Sequence, residues 1–216
     1  MLLNRSGFTR LLAKYGYGLR GETQVVRVLI SSSQIQKKVK SLGKKISRDY
    51  SGKKLLLVGV LKGVVPFMSD LMRAISLPLA VDFMAVSYYS EHSPQVKITK
   101  DLDTNIAGLD ILMIEDIVDT GMTLNYLLDY MKAQQPASLR VCALLDKRVR
   151  RLAEVELDYV GFEIPDEFVV GYGLDNLGEY RNLPFVGVLS PRKEQSAEKG
   201  TGEETSGEVE RKEGPE

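Results

Sequence analysis

The sequence predicts an α/β fold in which a mostly parallel sheet carries helices on both faces. Apolar runs of strand length, KKLLLVGVL (53–61), ILMIE (111–115) and LRVCALL (139–145), lack the polar alternation of a sheet with one wet face, so they suit strands covered on both sides. Between them lie segments with apolar residues at spacings of three and four, and alternation of the two kinds builds a doubly wound domain. The chain has 216 residues with 44% hydrophobic composition and 29 basic against 29 acidic side chains. That is an ordinary globular composition, long enough for one well-buried core.

In chain order, residues 1–23 form an irregular N-terminal extension. Within it, Gly16-x-Gly18-x-x-Gly21 matches a dinucleotide fingerprint in letters, but the fingerprint needs a strand before it and a helix after it. The adjoining residues QVVRVLI (24–30) are β-branched and alternating, the pattern of a strand and not of a helix, so the match is rejected. Residues 31–50 read as a helix capped by Ser32 or Ser33, with Ile35, Val39, Leu42 and Ile46 on one face. The run 53–61 ends in Lys62-Gly63 and leads into a helix over 64–75. Residues 111–115 form a buried strand, 116–121 a loop and 122–134 a helix. Strands over 139–145 and 158–164 complete the domain, which spans 24–190. Residues 191–216 hold five basic and eight acidic residues, with only Ala197 and Val209 as hydrophobic side chains. Such a segment cannot bury enough apolar surface to offset its ordering entropy, and it reads as a disordered acidic tail.

Several function classes drop out. Cys142 is the only cysteine and His92 the only histidine, which excludes disulfides, zinc clusters and multi-histidine metal centres. His92 lies in the polar stretch YYSEHSPQ, a poor setting for a catalytic triad. Proton chemistry falls to carboxylates or lysines. The first residues lack a signal-peptide core and no segment approaches a membrane span, so the expected location is the cytoplasm, with no membrane partner. Basic clusters occur at Lys37 to Lys45 and at Arg148, Arg150 and Arg151. They read as a solvated face or a subunit contact, because the domain as a whole is only slightly basic and no nucleic-acid partner is expected.

In a doubly wound sheet ligands bind at the carboxyl ends of the strands. Those ends hold Lys62-Gly63, Glu115 to Thr123, Lys147 and the segment after Ile164. The strongest signal is IEDIVDTGMT (114–123). Glu115 and Asp116 end an apolar strand, Asp119 follows, and Thr120, Gly121, Met122 and Thr123 open a helix. Backbone N–H groups and two hydroxyls at a helix N-terminus make a phosphate site, and Gly121 permits close approach. The adjacent carboxylates can accept from a vicinal diol or sit near a magnesium ion. Asp119 and Thr120 are also ordinary helix caps.

IEDIVDTGMT resembles the phosphoribosyl-diphosphate motif of the type I phosphoribosyltransferases, and in detail that of the hypoxanthine-guanine phosphoribosyltransferases. VGVLKGVVPF (58–67) resembles their diphosphate loop, LLDKR (144–148) their purine-contacting lysine segment, and GFEIPDEFVVGYGLDNLGEYRNLP (161–184) their hood and diphosphate-side segment. The resemblance implies a type I phosphoribosyltransferase-like parallel sheet with a small hood and a flexible lid. It further implies phosphoribosyl diphosphate and a 6-oxopurine base as substrates, Mg2+ as cofactor, and a homodimer or homotetramer.

Residue by residue, the resemblance gives Glu115 and Asp116 the ribose hydroxyls and a share of the metal, Asp119 the purine N7, and residues 120–123 the 5′-phosphate. It gives Lys147 the purine O6, Phe168 the ring face and the Val169 backbone the far edge of the base. Asp175 takes the magnesium and Arg181 the diphosphate. Lys62-Gly63 matches a loop that in the family often carries a non-proline cis peptide, and Ser87-Tyr88 opens the stretch to Asp103 that resembles the lid. Met122 departs from members with a lysine beside the 5′-phosphate, and Asp146 is positioned to influence the partner of Lys147. By residue type alone, Lys147 also reads as a surface lysine and Phe168 as a core residue. Adenine is disfavoured as substrate, because its 6-amino donor would face the donor Lys147.

Overall fold

A computed structural model describes residues 12, 14, 15, 23–89 and 95–191. The N-terminal extension lies largely outside the described residues, as do His92 and all of the acidic tail beyond Pro191. The main sheet has the order β4-β3-β2-β5-β6-β7. It comprises β2 (Leu55–Leu61), β3 (Leu79–Tyr89), β4 (Gln95–Lys100), β5 (Asp110–Val118), β6 (Ser138–Asp146) and β7 (Tyr159–Glu163). All neighbours run parallel except β4, which pairs antiparallel with β3 at one edge.

The side-chain period of a strand divides the core into two layers. On one face Leu55 and Leu57 of β2, Leu112 and Ile114 of β5, and Cys142 and Leu144 of β6 meet helices α1 (Ser32–Asp49) and α2 (Val65–Ala74). On the other, Leu56, Val58, Ile111, Met113, Val141 and Ala143 meet Leu124, Leu127, Leu128 and Met131 of α3 (Met122–Lys132). The apolar runs are unbroken because both faces are covered. Burial pushes the Cys142 thiol far up, and it is a core residue.

Helix α1 is capped by Ser31 rather than Ser32 or Ser33. The Gln34 side chain accepts from the Ser31 amide at 2.9 Å and completes a capping box. A second, three-stranded antiparallel sheet of order β1-β9-β8 joins β1 (Thr23–Ile30), β8 (Val169–Val170) and β9 (Val186–Pro191). This is the hood. The strand over 24–30 therefore belongs to the hood and not to the main sheet.

The predicted lid stretch is partly regular structure. Strand β3 continues through Ser87 and Tyr88, which pair with Lys97 and Val96 of β4. QVKITK alternates apolar and polar residues, the period-two signal of a strand within the stretch that resembles the lid. Residues 90–94 lie outside the described residues. Among the described residues, no helix is long and apolar enough to cross a membrane.

From β2 the chain builds outward to β3 and β4, then returns to place β5 on the other side of β2 and continues to β6 and β7. The direction reverses between β2 and β5. In an open sheet of this kind the crevice at that switch point, at the carboxyl ends of the strands, is where ligands sit.

Candidate active site

The two strands that flank the switch point deliver the first functional groups. Strand β5 is longer than the apolar run suggested and includes both Glu115 and Asp116. Glu115 is buried. Burial, and after it the neighbouring Asp116 charge, pushes its carboxyl well above the usual range. Burial also moves Asp116 up to about 6; the Ile117 and Asp116 amides and the Arg181 charge oppose this, and Asp175 adds to it. The crevice thus concentrates negative charge that hydroxyl donors or a cation can relieve.

After β5 the chain turns through Asp119 and Thr120 into α3. The cap position is Gly121, at φ +81°, with no side-chain cap hydrogen bond. Neither Asp119 nor Thr120 takes the cap position. A Cβ at Gly121 would sit 2.9 Å from the Ala153 carbonyl oxygen, so both the backbone angle and the space demand glycine. The Leu152 and Ala153 amides donate to the Thr120 carbonyl at 2.9 and 3.0 Å and hold the turn from behind. Met122 is 57% exposed, so this turn relies on backbone amides and hydroxyls.

On the β2 side the Leu61–Lys62 peptide is cis, as the resemblance implied. Gly63 is locked between two segments: a Cβ there would lie 1.7 Å from Asp116 Oδ2, and one at Gly173 would lie 1.8 Å from the Gly63 carbonyl oxygen. The Gly63 and Gly173 backbones thus meet without side chains between them, and the Asp116 carboxylate packs directly on Gly63. Arg181 donates to the Gly173 carbonyl at 2.7 Å and pairs with Asp175 at 2.7 Å, and Asp175 also accepts from the Gly178 amide at 2.8 Å. The Tyr172 hydroxyl donates to Asp70 of α2 at 2.6 Å, tying this turn to the main domain.

The third wall comes from the end of β6. Lys147 is only 5% exposed, which overturns its reading as a surface lysine. Its amide donates to the Val118 carbonyl at 3.0 Å, and its Nζ lies 3.9 Å from Asp166. Arg150 lies 3.8 Å from the same Asp166 and 3.4 Å from Asp119, a charge pair without hydrogen-bond alignment. Charges therefore alternate from Lys147 through Asp166 and Arg150 to Asp119. Asp146 does not engage Lys147; it accepts from Arg151. Phe168 is 54% exposed, so it is not a core residue. Val169 is buried in β8, paired with Val188.

A cavity of about 440 Å³ gathers Lys62, Gly63, Glu115, Asp116, Asp119, Thr120, Gly121, Thr123, Asp175 and Arg181. Met122, Lys147, Phe168, Val169, Ser87 and Tyr88 are not among its lining residues. A larger depression of about 740 Å³ lies between β4 and α3, lined by Ile98, Tyr126 and Tyr130 among others, and it has no phosphate-type turn.

Sequence reasoning missed Arg150, Arg151 and Asp166 as site neighbours. The two arginines were grouped with solvated basic clusters, although their place just after Lys147 at a strand's carboxyl end was a usable signal. Asp166 stands in a Pro-Asp turn and carried none.

The phosphoribosyl transferase domain model matches residues 31–177. The chain belongs to the phosphoribosyltransferase family. Among relatives of this phosphoribosyltransferase, the hypoxanthine-guanine phosphoribosyltransferase of Bacillus subtilis is 51% identical over 170 residues, covering 77% of this chain and 94% of that protein. The bifunctional protein TilS/HprT of Listeria monocytogenes is 48% identical over 77% of this chain, and the chain spans only 26% of that longer protein's length. A crystal structure of a hypoxanthine phosphoribosyltransferase from Staphylococcus aureus superposes with a TM-score of 0.75 at 46% identity, covering 77% of this phosphoribosyltransferase and 92% of the other chain.

Proposed function

We propose that the chain works in purine salvage, transferring the 5-phosphoribosyl group from phosphoribosyl diphosphate to N9 of hypoxanthine, guanine or both, with IMP or GMP and diphosphate as products. The observation that carries this reading is the convergence of Thr120, Gly121 and Thr123 with the Glu115–Asp116 pair on one crevice, with the buried Lys147 held behind it through its amide bond to Val118, a residue of the crevice wall. They match, in order, a 5′-phosphate, a ribose diol and a carbonyl-bearing base. The names of the relatives point the same way.

Cleavage of the bond from C1 to the diphosphate builds positive charge on the ribose ring, so catalysis is largely positioning and electrostatics. Glu115 and Asp116 accept from the ribose hydroxyls and fix the ring. The 120–123 amides and hydroxyls hold the 5′-phosphate at the helix N-terminus. Lys62, the Gly63 backbone and Arg181 hold the diphosphate as it leaves. Lys147 donates to O6, Phe168 covers the ring, and the Val169 backbone meets the opposite edge. Asp119 hydrogen-bonds N7 and holds or accepts the proton the base must lose. On the resemblance, Ser87 and Tyr88 act at the base of the lid over the transition state.

The donor set fits magnesium. Among the described residues no three His, Cys, Asp or Glu side chains converge to hold a metal unaided, and magnesium is commonly bound by one or two carboxylates together with substrate phosphates. Asp175, with Glu115 or Asp116 as a second carboxylate, would hold it there. Bound with the substrate, the ion supplies positive charge against the diphosphate oxygens.

Val65 and Met72 on α2 and Val81 on β3 are exposed apolar side chains, which supports a homodimer or homotetramer; light scattering reads the mass directly. The deciding experiment for function is a panel of hypoxanthine, guanine, xanthine and adenine with phosphoribosyl diphosphate and magnesium. Nucleotide formation from hypoxanthine or guanine, with little from adenine, is expected. Transfer to adenine alone, or to none of the four, would overturn the reading.

A further inference from the structure

Beyond the residues that touch substrate, one buried ion pair stands behind the site. Asp146 is the last residue of β6, immediately before Lys147, and it accepts from Arg151 five residues on; the two side chains are 12% and 16% exposed. Between them the chain makes a single 3-10 turn, Arg148–Arg150, and doubles back. That reversal brings the Leu152 and Ala153 amides to the Thr120 carbonyl. It also lays the Arg151 Cδ 3.0 Å from where a Cβ of Gly121 would stand. The Asp146 carbonyl accepts from the Ile164 amide at 2.9 Å and so anchors the start of the segment.

We infer that Arg151, through its ion pair with Asp146, is a positioning residue for the 5′-phosphate turn and couples that turn to Lys147. The inference rests on the phosphoribosyl-transfer reading above. A pair this buried adds little net stability over an apolar packing of the same shape, because both charges lose their hydration. Its effect is geometric: it fixes the path of residues 147–153, whose one end carries the base-reading ammonium and whose other end braces Thr120. With the uncharged, exposed Met122 in the turn, the phosphate is held by oriented amides, and misplacing such groups by about 1 Å costs on the order of a hundredfold.

The test compares inosine with IMP. The ratio of their dissociation constants isolates the contribution of the 5′-phosphate, and a general loss of stability would not move it selectively. In Arg151→Met and in Asp146→Asn the ratio should fall about tenfold, while Arg151→Lys, which can keep the pair, should stay close to the parent. Because both changes break one interaction, the double variant should be no worse than the more affected single one. An unchanged ratio in folded Arg151→Met, or in Asp146→Asn should the first variant not fold, would overturn the inference. Additive losses in the double variant would overturn it too. If the parent itself bound IMP no better than inosine, the phosphoribosyl reading would fall first and the positioning role with it. A parent that discriminates strongly beside indifferent variants would sink the positioning role alone.

Discussion

Lys147 is nearly inaccessible, yet the acid paired with its ammonium, Asp166, lies at 3.9 Å, too far for a direct hydrogen bond. A buried cation held this loosely suits an acceptor that arrives with the ligand. Lys147→Gln keeps a donor but removes the charge, so the loss should approach that of a charged hydrogen bond, roughly 1.5–3 kcal/mol. That is about ten- to a hundredfold in kcat/KM for hypoxanthine. The affinity for phosphoribosyl diphosphate should hardly change; an equal fall for both substrates would move Lys147 off the base. Asp116 poses the opposite problem, since its carboxyl titrates at about 6 in the fold against roughly 3.9 in an unfolded chain. The folded state therefore binds the extra proton between those values, and stability drops as pH rises through that window. Asp116→Asn removes the burden. In chelated, substrate-free buffer it should be more stable than the parent by on the order of 1–2 kcal/mol at pH 8, with no advantage near pH 4, while losing affinity for phosphoribosyl diphosphate. Thermal melts across pH read this directly, and a variant less stable than the parent at pH 8 would contradict it. The carboxylates and the Thr-Gly turn were legible in the sequence because they are contiguous. Arg150 and Asp166 were not, because their meeting depends on β6 and β7 being neighbours in space.

At the scale of elements, strands with two covered faces were readable, whereas β3 was not, and Asp82 is the reason. It interrupts the apolar run LAVDFMAV, yet it is buried and accepts from the Phe83, Asp103 and Thr104 amides at 2.7, 3.0 and 2.9 Å. Burial raises its carboxyl pKa, but those bonds outweigh it and the net shift is downward. Its contribution is present above the unfolded carboxylate range and is lost as pH falls below it. Asp82 thus ties the return of the β3–β4 arm to the sheet. Asp82→Ala leaves those amides without their acceptor and should cost about 1–3 kcal/mol at pH 7, with a smaller difference near pH 3. Amide exchange should quicken at Asp103 and Thr104 while the 120–123 turn keeps its protection. Uniformly faster exchange would instead mark a global effect. The hood strands were equally hard to read, since β8 has two residues and β9 takes its other partner, β1, from a distant part of the chain.

Among the described residues, the first and last strands meet in one sheet. Strand β9 lies between β1 and β8, pairing Thr23 with Pro191 and Ile30 with Val186, so the first and last strands hold each other in the hood. The family match over 31–177 leaves both strands outside, although Phe168 and Val169 depend on that sheet for their place. Strand β9 runs to Pro191. A chain ending at Pro191 loses only the charged segment beyond it, whose composition offers no core contacts; its stability and activity should match the parent within about 0.5 kcal/mol. A chain ending at Phe185 loses Val186, Val188 and Leu189, all buried. Burial of each is worth roughly 1.5–3 kcal/mol, so the sum rivals the roughly 5–15 kcal/mol that stabilises a whole domain. Its absence also bares Val25 and Val170, which share the hood core. The Phe185-terminated chain should therefore aggregate or unfold at much lower urea, and any soluble fraction should bind hypoxanthine poorly. Equal urea midpoints for the two truncations would mean that the main sheet stands without its hood. A clear loss on ending at Pro191 would instead assign the acidic segment a contact with the domain.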